Sequence, residues 1–520
     1  MIRYCVLQNI FYEIVSLKMK KNFWIIILII TLLIGFAFSA CTDEEDYSSS
    51  KSLSLQFSSD TITFDTIFTT IGSVTKQIRV YNPENKAIKL DYITLGSGNN
   101  SYYRLNVDGD TSLVAKNVTI GAKDSIFIFV RVELDPNNLS NPLLVEDSII
   151  FSFNGKQQSV LLMAYGQDAY YHLPKHTLGN DNNGTQYSLA NEGGDTAGIQ
   201  TNGNNINWKN DKPHIIVGTC VVDSAFTLHI TDGTKIYMAN NADFWVYKDG
   251  SLKVNGSTSN PVVFQSIRSQ DRYSSIPGQW GKIYFIAGSK DNELNDVLIK
   301  NANIGVLVDT CVNENPTLTI KNTRIENCSQ VGIYARGATI YGENVIVQNT
   351  GSYSVALTLG GSYEFIGSTF ANYWTYDNTR TKSVLLLNDW YEAADGSKQL
   401  RRIEKASFHN TIIYGSLLDN EIEFDLTEGL QSQYLFDHCL LKSNALSNNN
   451  GTVQACVLNK DPMFTDVSSN DLHLENSSPA IGSGNGVYNS IVPYDIFGTF
   501  RLDPPSIGAI ENRSSVEKRR

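Results

Sequence analysis

The chain lacks the short signatures of several common chemistries. It has no HExxH pair for zinc, no GxSxG nucleophile turn and no glycine-rich phosphate loop. None of its seven cysteines stands in a CxxC pair, so a closely spaced metal-ligand set is excluded. Cys5 and Cys41 lie near the N-terminus; Cys220, Cys311, Cys328, Cys439 and Cys456 follow at irregular spacing. These five are expected as small buried apolar side chains, with a single disulfide left open. Charge is scarce too, at 18% of residues, and no Lys/Arg stripe alternates with aromatics. With a formal net charge of −12, nucleic acid is excluded as a partner. No cofactor is implied, and calcium has no motif to hold it. His172 and His176 have the spacing of a helical metal pair, but Pro174 between them argues against a helix.

What is present favours strands and turns. Tyr, Phe and Gly are frequent and Asn-rich stretches recur, while 42% apolar residues suffice for a folded core. At 520 residues, two or more domains are expected.

The sharpest local signal is N-terminal. Lys20-Lys21 precede an apolar run from Phe23 to Phe38, followed by Ser39-Ala40-Cys41. A basic start, a short apolar core and small residues before a cut site make a secretory signal over residues 1–40, with Met19 as an alternative start. The run is shorter than the roughly 20 residues a membrane span requires. Small residues ending in Cys resemble the lipobox of bacterial lipoproteins, which implies that Cys41 carries the lipid. Residues 41–52 read as an acidic, Ser-rich tether. Thr42-Asp43-Glu44-Glu45-Asp46 resembles the surface-export signal of Bacteroidota-type lipoproteins, implying the outer face of the outer membrane. The partner implied there is the membrane, reached through the lipid on Cys41.

Residues 53–168 read as short strands separated by turns. Ile78 and Val80 precede the turn cluster Asn82-Pro83-Glu84-Asn85, and Ile88, Leu90 and Ile93 follow it. Ile126, Ile128, Val130 and Val132 alternate, and Asn154-Gly155 between two apolar runs is a strong hairpin signal. This suits a β-sandwich, and the stretch from Val80 to Leu90 is similar to strands of immunoglobulin-like modules in bacterial surface proteins. Residues 169–212 are broken by Gly and Asn clusters and are expected as a linker or docking segment.

From residue 213 to 480 the chain repeats. The apolar positions Ile299, Ile325, Val347, Phe370, Ile413 and Leu441 recur in one frame, mostly two dozen residues apart. Strand repeats of that period predict a solenoid, because each coil buries its apolar face only by stacking on its neighbours. Asn301, Asn327, Asn349 and Asn372, and later Gly415, follow these positions, where a left-handed corner suits Asn. The frame resembles the right-handed parallel β-helix of pectate-lyase-like and adhesin-like secreted proteins. The fold class is therefore all-β, a β-helix behind an immunoglobulin-like sandwich. Ser478-Pro479-Ala480-Ile481-Gly482, Asp495, Gly498, Arg501 and Ile507-Gly508-Ala509 resemble the closing segment of such proteins, and residues 481–520 are expected to cap the solenoid.

The interval from Phe370 to Ile413 is too long for one regular turn, so an extra coil around Ser383–Asn388, bulging loops, or both are expected. Its aromatics, Tyr373, Trp374, Tyr376, Trp390 and Tyr391, are the candidate glycan contacts, since exposed rings stack on the apolar faces of sugars. The competing expectation is that they pack under their own loops. Glu364, Asp377, Glu392 and Asp395 are the candidate acids if the protein cleaves a glycan, which needs paired carboxylates. The leading reading is a non-catalytic surface protein binding a polysaccharide or a host or partner protein. The alternatives are a polysaccharide lyase or glycoside hydrolase, and a structural part of an envelope assembly.

Overall fold

The computed structural model describes residues 47–50, 52–68, 75–133, 143–178, 185–268, 273–310, 316–374, 376–377, 380–449 and 451–512. The expected signal, Cys5, Cys41, the acidic run to Asp46 and Cys311 lie outside the described residues. Among those described there is no α-helix, and none is long and apolar enough to cross a membrane.

The first unit is a sandwich of two antiparallel sheets. One orders its four strands Gln56–Phe57, Lys76–Tyr81, Ser125–Val132, Tyr103–Val107. The other orders five: Thr61–Phe68, Lys156–Gln167, Leu143–Phe153, Ile88–Leu95, Val114–Ile120. Ile78, Val80, Ile88, Leu90, Ile126 and Ile128 are buried while their neighbours face outward, the two-residue period of a strand with one wet face. Across the layers the Phe57 and Phe151 rings lie 5.0 Å apart, and the Tyr103 hydroxyl donates to the Val145 carbonyl at 2.9 Å. Asn154 and Gly155 turn the hairpin with φ of +49° and +70°, the left-handed pair that a two-residue turn requires.

The second unit is a parallel β-helix of three long sheets, with 11, 10 and 11 strands. They begin at Tyr170–His172, His176–Thr177 and Ile199–Asn202 and are called here the first, second and third sheets. Pairing is parallel throughout except where His176–Thr177 and Ile199–Asn202 open their sheets antiparallel. The repeat frame is realised residue by residue. Ile299 pairs with Ile325, Ile325 with Val347, Val347 with Phe370, Phe370 with Ile413, and Ile413 with Leu441. All six are fully buried in one continuous core.

Two columns of Asn mark the corners. Asn322 and Asn344 stand before the first sheet and Asn327 and Asn349 at its far end, all with φ between +45° and +55°. Asn344 Nδ2 donates to Asn322 Oδ1 at 3.0 Å, and Asn349 Nδ2 to Asn327 Oδ1 at 2.6 Å. Asn301 is left-handed as expected; Asn372 and Gly415 are not among the left-handed residues. Asn372 ends a regular strand and is buried, its Oδ1 accepting from Thr350 N–H while Nδ2 donates to the Thr350 carbonyl.

Three expectations are corrected. Residues 169–212 supply the first strands of all three sheets, hidden in the sequence by strands of only two to four residues between Gly and Asn turns. Of the alternatives for the interval from Phe370 to Ile413, the extra coil falls and the bulging loops hold, because these two residues are direct register partners. The additional length forms a loop before Leu385–Asn388 and an exposed hairpin, Trp390–Glu392 with Lys398–Leu400. The described part of 481–520 lies along the flank of the first sheet, not only at the solenoid end. Ile496, Ile507, Ala509 and Ile510 cover the outward residues Ile346, Ala371, Ile412 and Leu440 of four successive coils. Buried Arg501 fixes that segment by donating to Asn344 Oδ1 at 2.7 Å and the Gly508 carbonyl at 2.9 Å.

Candidate functional site

Each short strand of the second sheet turns its central residue outward, because its two neighbours fill the core. Cys220 and Val222 face in around Val221; Phe244 and Val246 face in around Trp245; Ile333 and Ala335 face in around Tyr334. Parallel in-register stacking then builds an outer column: Leu189, Val221, Trp245, Tyr284, Leu307, Tyr334, Ala356, Leu386. Successive members are separated by about one strand spacing, roughly 4.8 Å.

The other two outer faces differ. The C-terminal segment covers the first sheet over four coils. The third sheet presents ion pairs instead, Lys321–Glu343 at 3.0 Å and Lys405–Glu364 at 2.7 Å. The second sheet thus carries the open aromatic face.

A groove of about 560 Å³ lies on this face, lined among others by Asp309, Tyr334, Arg336, Asn388, Trp390 and Tyr391. The exposed hairpin supplies Trp390 and Tyr391. Trp390 Nε1 donates to Asp425 Oδ1 at 3.0 Å, and Lys398 Nζ stands 3.7 Å from the ring centre. Both contacts fix the indole; Tyr391 remains exposed.

Asp309 and Arg336 stack on adjacent coils at the groove floor. Arg336 Nε donates to Asp309 Oδ1 at 2.5 Å and Nη2 to Oδ2 at 2.7 Å. Tyr284 adds its hydroxyl to Oδ2 at 2.5 Å. These bonds to Asp309 hold the Arg336 guanidinium above its ordinary pKa, and burial followed by the Asp309 bond pushes Tyr284 up to about 12. The cluster is a floor whose opposite charges are already paired.

The sequence-derived candidates divide. Trp390 and Tyr391 line the groove, whereas Tyr373, Trp374 and Tyr376 precede the Leu385–Asn388 strand and are not among its lining residues. Tyr373 packs edge-on against Phe464, and burial raises its pKa. Trp374 is only 7% exposed and donates from Nε1 to Asp377 Oδ1 at 2.7 Å; Tyr376 alone of the three is open, at 59%. The four candidate acids lie on three separate elements, and none lines the groove. Glu364 is on the third sheet, Asp377 under Trp374, and Glu392 and Asp395 on the hairpin. Asp395 is fully exposed and held below the usual carboxylate range by bonds from Ser397.

Sequence reasoning missed the Asp309–Arg336 stack and the outer column. Their signal lies in outward strand positions shared by successive coils, where Trp245, Tyr284 and Tyr334 stand among aliphatic residues and Asp309 one coil before Arg336, a long-range pattern that local clustering does not expose. His172 pairs with His214, at 2.9 Å, and not with His176. Among the described residues no group of three or more His, Cys, Asp or Glu could hold a metal ion.

Residues 198–326 match the family described as a pectate-lyase-like beta helix domain. No curated protein matches the chain. Among solved structures it is similar to the catalytic unit of a thermostable GH87 alpha-1,3-glucanase from Streptomyces thermodiastaticus, at 10% identity and a TM-score of 0.22 over 74% of this chain and 89% of that one. It is also similar to a family 123 glycoside hydrolase from Clostridium perfringens, at 10% identity and a TM-score of 0.17. That match covers 22% of this chain and 27% of the hydrolase.

Proposed function

We propose that the protein is an exported, lipid-anchored surface protein that binds a glycan on the aromatic face of its second sheet without cleaving it. The observation that carries this reading is the groove itself. Fixed Trp390, open Tyr391 and Tyr334 offer apolar rings, while Asn388, Thr310 and the Asp309–Arg336 floor supply polar edges. Pockets of apolar wall with a few placed polar groups are the usual form of such sites, and rings suit the apolar faces of sugars.

A second reading, a lyase, draws on one feature: an Asp and an Arg stacked beneath a groove. Proton abstraction by Arg336 requires a lowered pKa, and its bidentate bond to Asp309 works the other way. The binding reading is therefore favoured.

The test is a glycan array and a depolymerisation screen with residues 42–520, with Trp390→Ala alongside. Losing one stacking ring is expected to lower glycan affinity about tenfold, the upper end for an aromatic contact. Release of shortened oligosaccharides would overturn the non-catalytic reading, and unchanged affinity in Trp390→Ala would remove the groove from it. Trp374→Ala is unsuited to this test because its ring is buried and tied to Asp377.

The anchor is tested separately. Lipid on Cys41 is the proposed hold on the membrane, since the acidic chain has no electrostatic attraction for an anionic surface. Cys41→Ser should move the protein from the membrane fraction to the soluble fraction of an expressing cell. Retention in the membrane fraction would count against lipidation there.

A further inference from the structure

A second depression lies on the same sheet but in its first coils. It is a cup of about 290 Å³, walled by Tyr187, Leu189, Val221, Trp245 and Tyr247, with Asp223 as the carboxylate. Register brings the central residues together. Val221 pairs with Trp245, and two residues further along each strand, on the same face, stand Asp223 and Tyr247. Tyr247 N–H donates to the Val222 carbonyl at 2.9 Å, which continues the pairing past the strand end. Trp245 is held by its edge: Nε1 donates to Asp243 Oδ2 at 3.1 Å, and Tyr284 meets it edge-to-face at 5.9 Å.

The electrostatics of the cup have one sign. Three electron-rich rings and one carboxylate line it, and no Lys, Arg or His is among its described lining. Ser224 N–H bonds Asp223 Oδ1 at 2.7 Å, and the carboxylate has no cationic partner among the described contacts. An anion would meet a carboxylate with nothing to balance it. A metal ion would find one carboxylate where hard cations take six or more oxygens. A neutral ring would gain apolar contact but would leave the carboxylate and the ring quadrupoles unused. The group that uses every wall is an organic cation, attracted to ring faces and carboxylate alike while its methyl or methylene groups bury against Leu189 and Val221.

We infer that this cup binds an organic ammonium group, presented by an amino sugar, a lysine side chain or a trimethylammonium headgroup. The inference does not depend on the glycan reading of the groove, which is built from different residues.

The experiment is calorimetric titration of the full mature chain with choline and with its uncharged analogue, in which a tert-butyl group replaces the trimethylammonium. Choline is expected to bind at least about tenfold more tightly than the analogue. Asp223→Asn should weaken choline and leave the analogue unchanged. Trp245→Phe should retain most binding and Trp245→Ala lose it, while Trp390→Ala should have no effect. Glucosamine against glucose, and an N-acetylated lysine amide against its uncharged counterpart, then identify the source of the ammonium. Equal binding of choline and the analogue would show an apolar cup only. That result, or binding by none of the three cations, overturns the inference and leaves the groove reading untouched.

Discussion

Glu421→Ala should lower the stability of the solenoid by about 3–5 kcal/mol, the cost of stranding a buried charge. Arg380 and Glu421 have side chains only 3% and 0% exposed and are joined through Nη2 and Oε2. The carboxylate also accepts from Val384 N–H at 3.1 Å and Leu417 N–H at 2.8 Å, and Arg380 Nη1 donates to the Asn372 carbonyl at 2.6 Å. The pair thus ties the loop inserted after Phe370 to the coil that follows it. Burial raises the pKa of Glu421 and lowers that of Arg380 in spite of their attraction, so desolvation outweighs the ion pair. Two consequences follow from that balance. Removing one partner is costly, but replacing both with apolar residues of similar size should be far milder. Urea midpoints for Glu421→Ala and for the double variant Arg380→Met, Glu421→Leu decide the matter. A single variant within about 1 kcal/mol of the parent, in the range of a surface pair, would refute the account.

The second large effect is on acid stability, and its source is the stack of His172, Trp208 and His214 in the first coils. His172 Nε2 and His214 Nδ1 share a hydrogen bond of 2.9 Å, and Trp208 stacks on both rings at 4.2 and 4.4 Å. His214 Nε2 donates to the Lys209 carbonyl at 2.7 Å. Burial lowers the pKa of His214 from 6.5 to about 4, and burial together with the neighbouring His214 lowers that of His172 well below its ordinary value. Both imidazoles are neutral in the folded chain and take up protons more readily when it opens. Their stabilisation is therefore complete above pH 6.5, falls as the pH drops toward 4, and changes no further below that for His214. For His214 the whole interval amounts to about 3 kcal/mol, at roughly 1.4 kcal/mol per pH unit.

Hydrogen exchange of the Tyr170–His172 and His214–Ile216 strands at pH 7 and pH 5 measures this effect where it acts. Exchange corrected for its intrinsic pH dependence should accelerate at pH 5 in the parent and less in His214→Gln, where His172 alone still responds. The same acceleration in both would assign the acid response to other groups.

The inward half of the solenoid was legible from the chain alone. Ile299, Ile325, Val347 and Phe370 share one frame because a coil has nowhere else to bury an apolar side chain, and register pairs them one above another. Asn at the corners was legible for a similar reason, since few other residues accept a left-handed backbone at so little cost. The candidate site was half legible. Clustering in sequence drew attention to Tyr373, Trp374 and Tyr376, of which only Tyr376 is open. It drew equal attention to Trp390 and Tyr391, which do line the groove. Adjacent aromatics look alike in a sequence whether a loop folds over them or projects them.

By itself, the sequence determined that this protein is all-β, that its longer part is a ladder of coils, and which side chains fill that ladder. Apolar periodicity carries this information because burial is the strongest demand on the chain and is written into every repeat. Only the tertiary structure decided what each outer face presents. Trp245, Tyr284 and Tyr334, far apart in the chain, meet in one column through parallel register. The C-terminal segment hides one flank and leaves the second sheet open. Outward positions answer to whatever happens to cover them, and the chain spells out the residues without spelling out the cover.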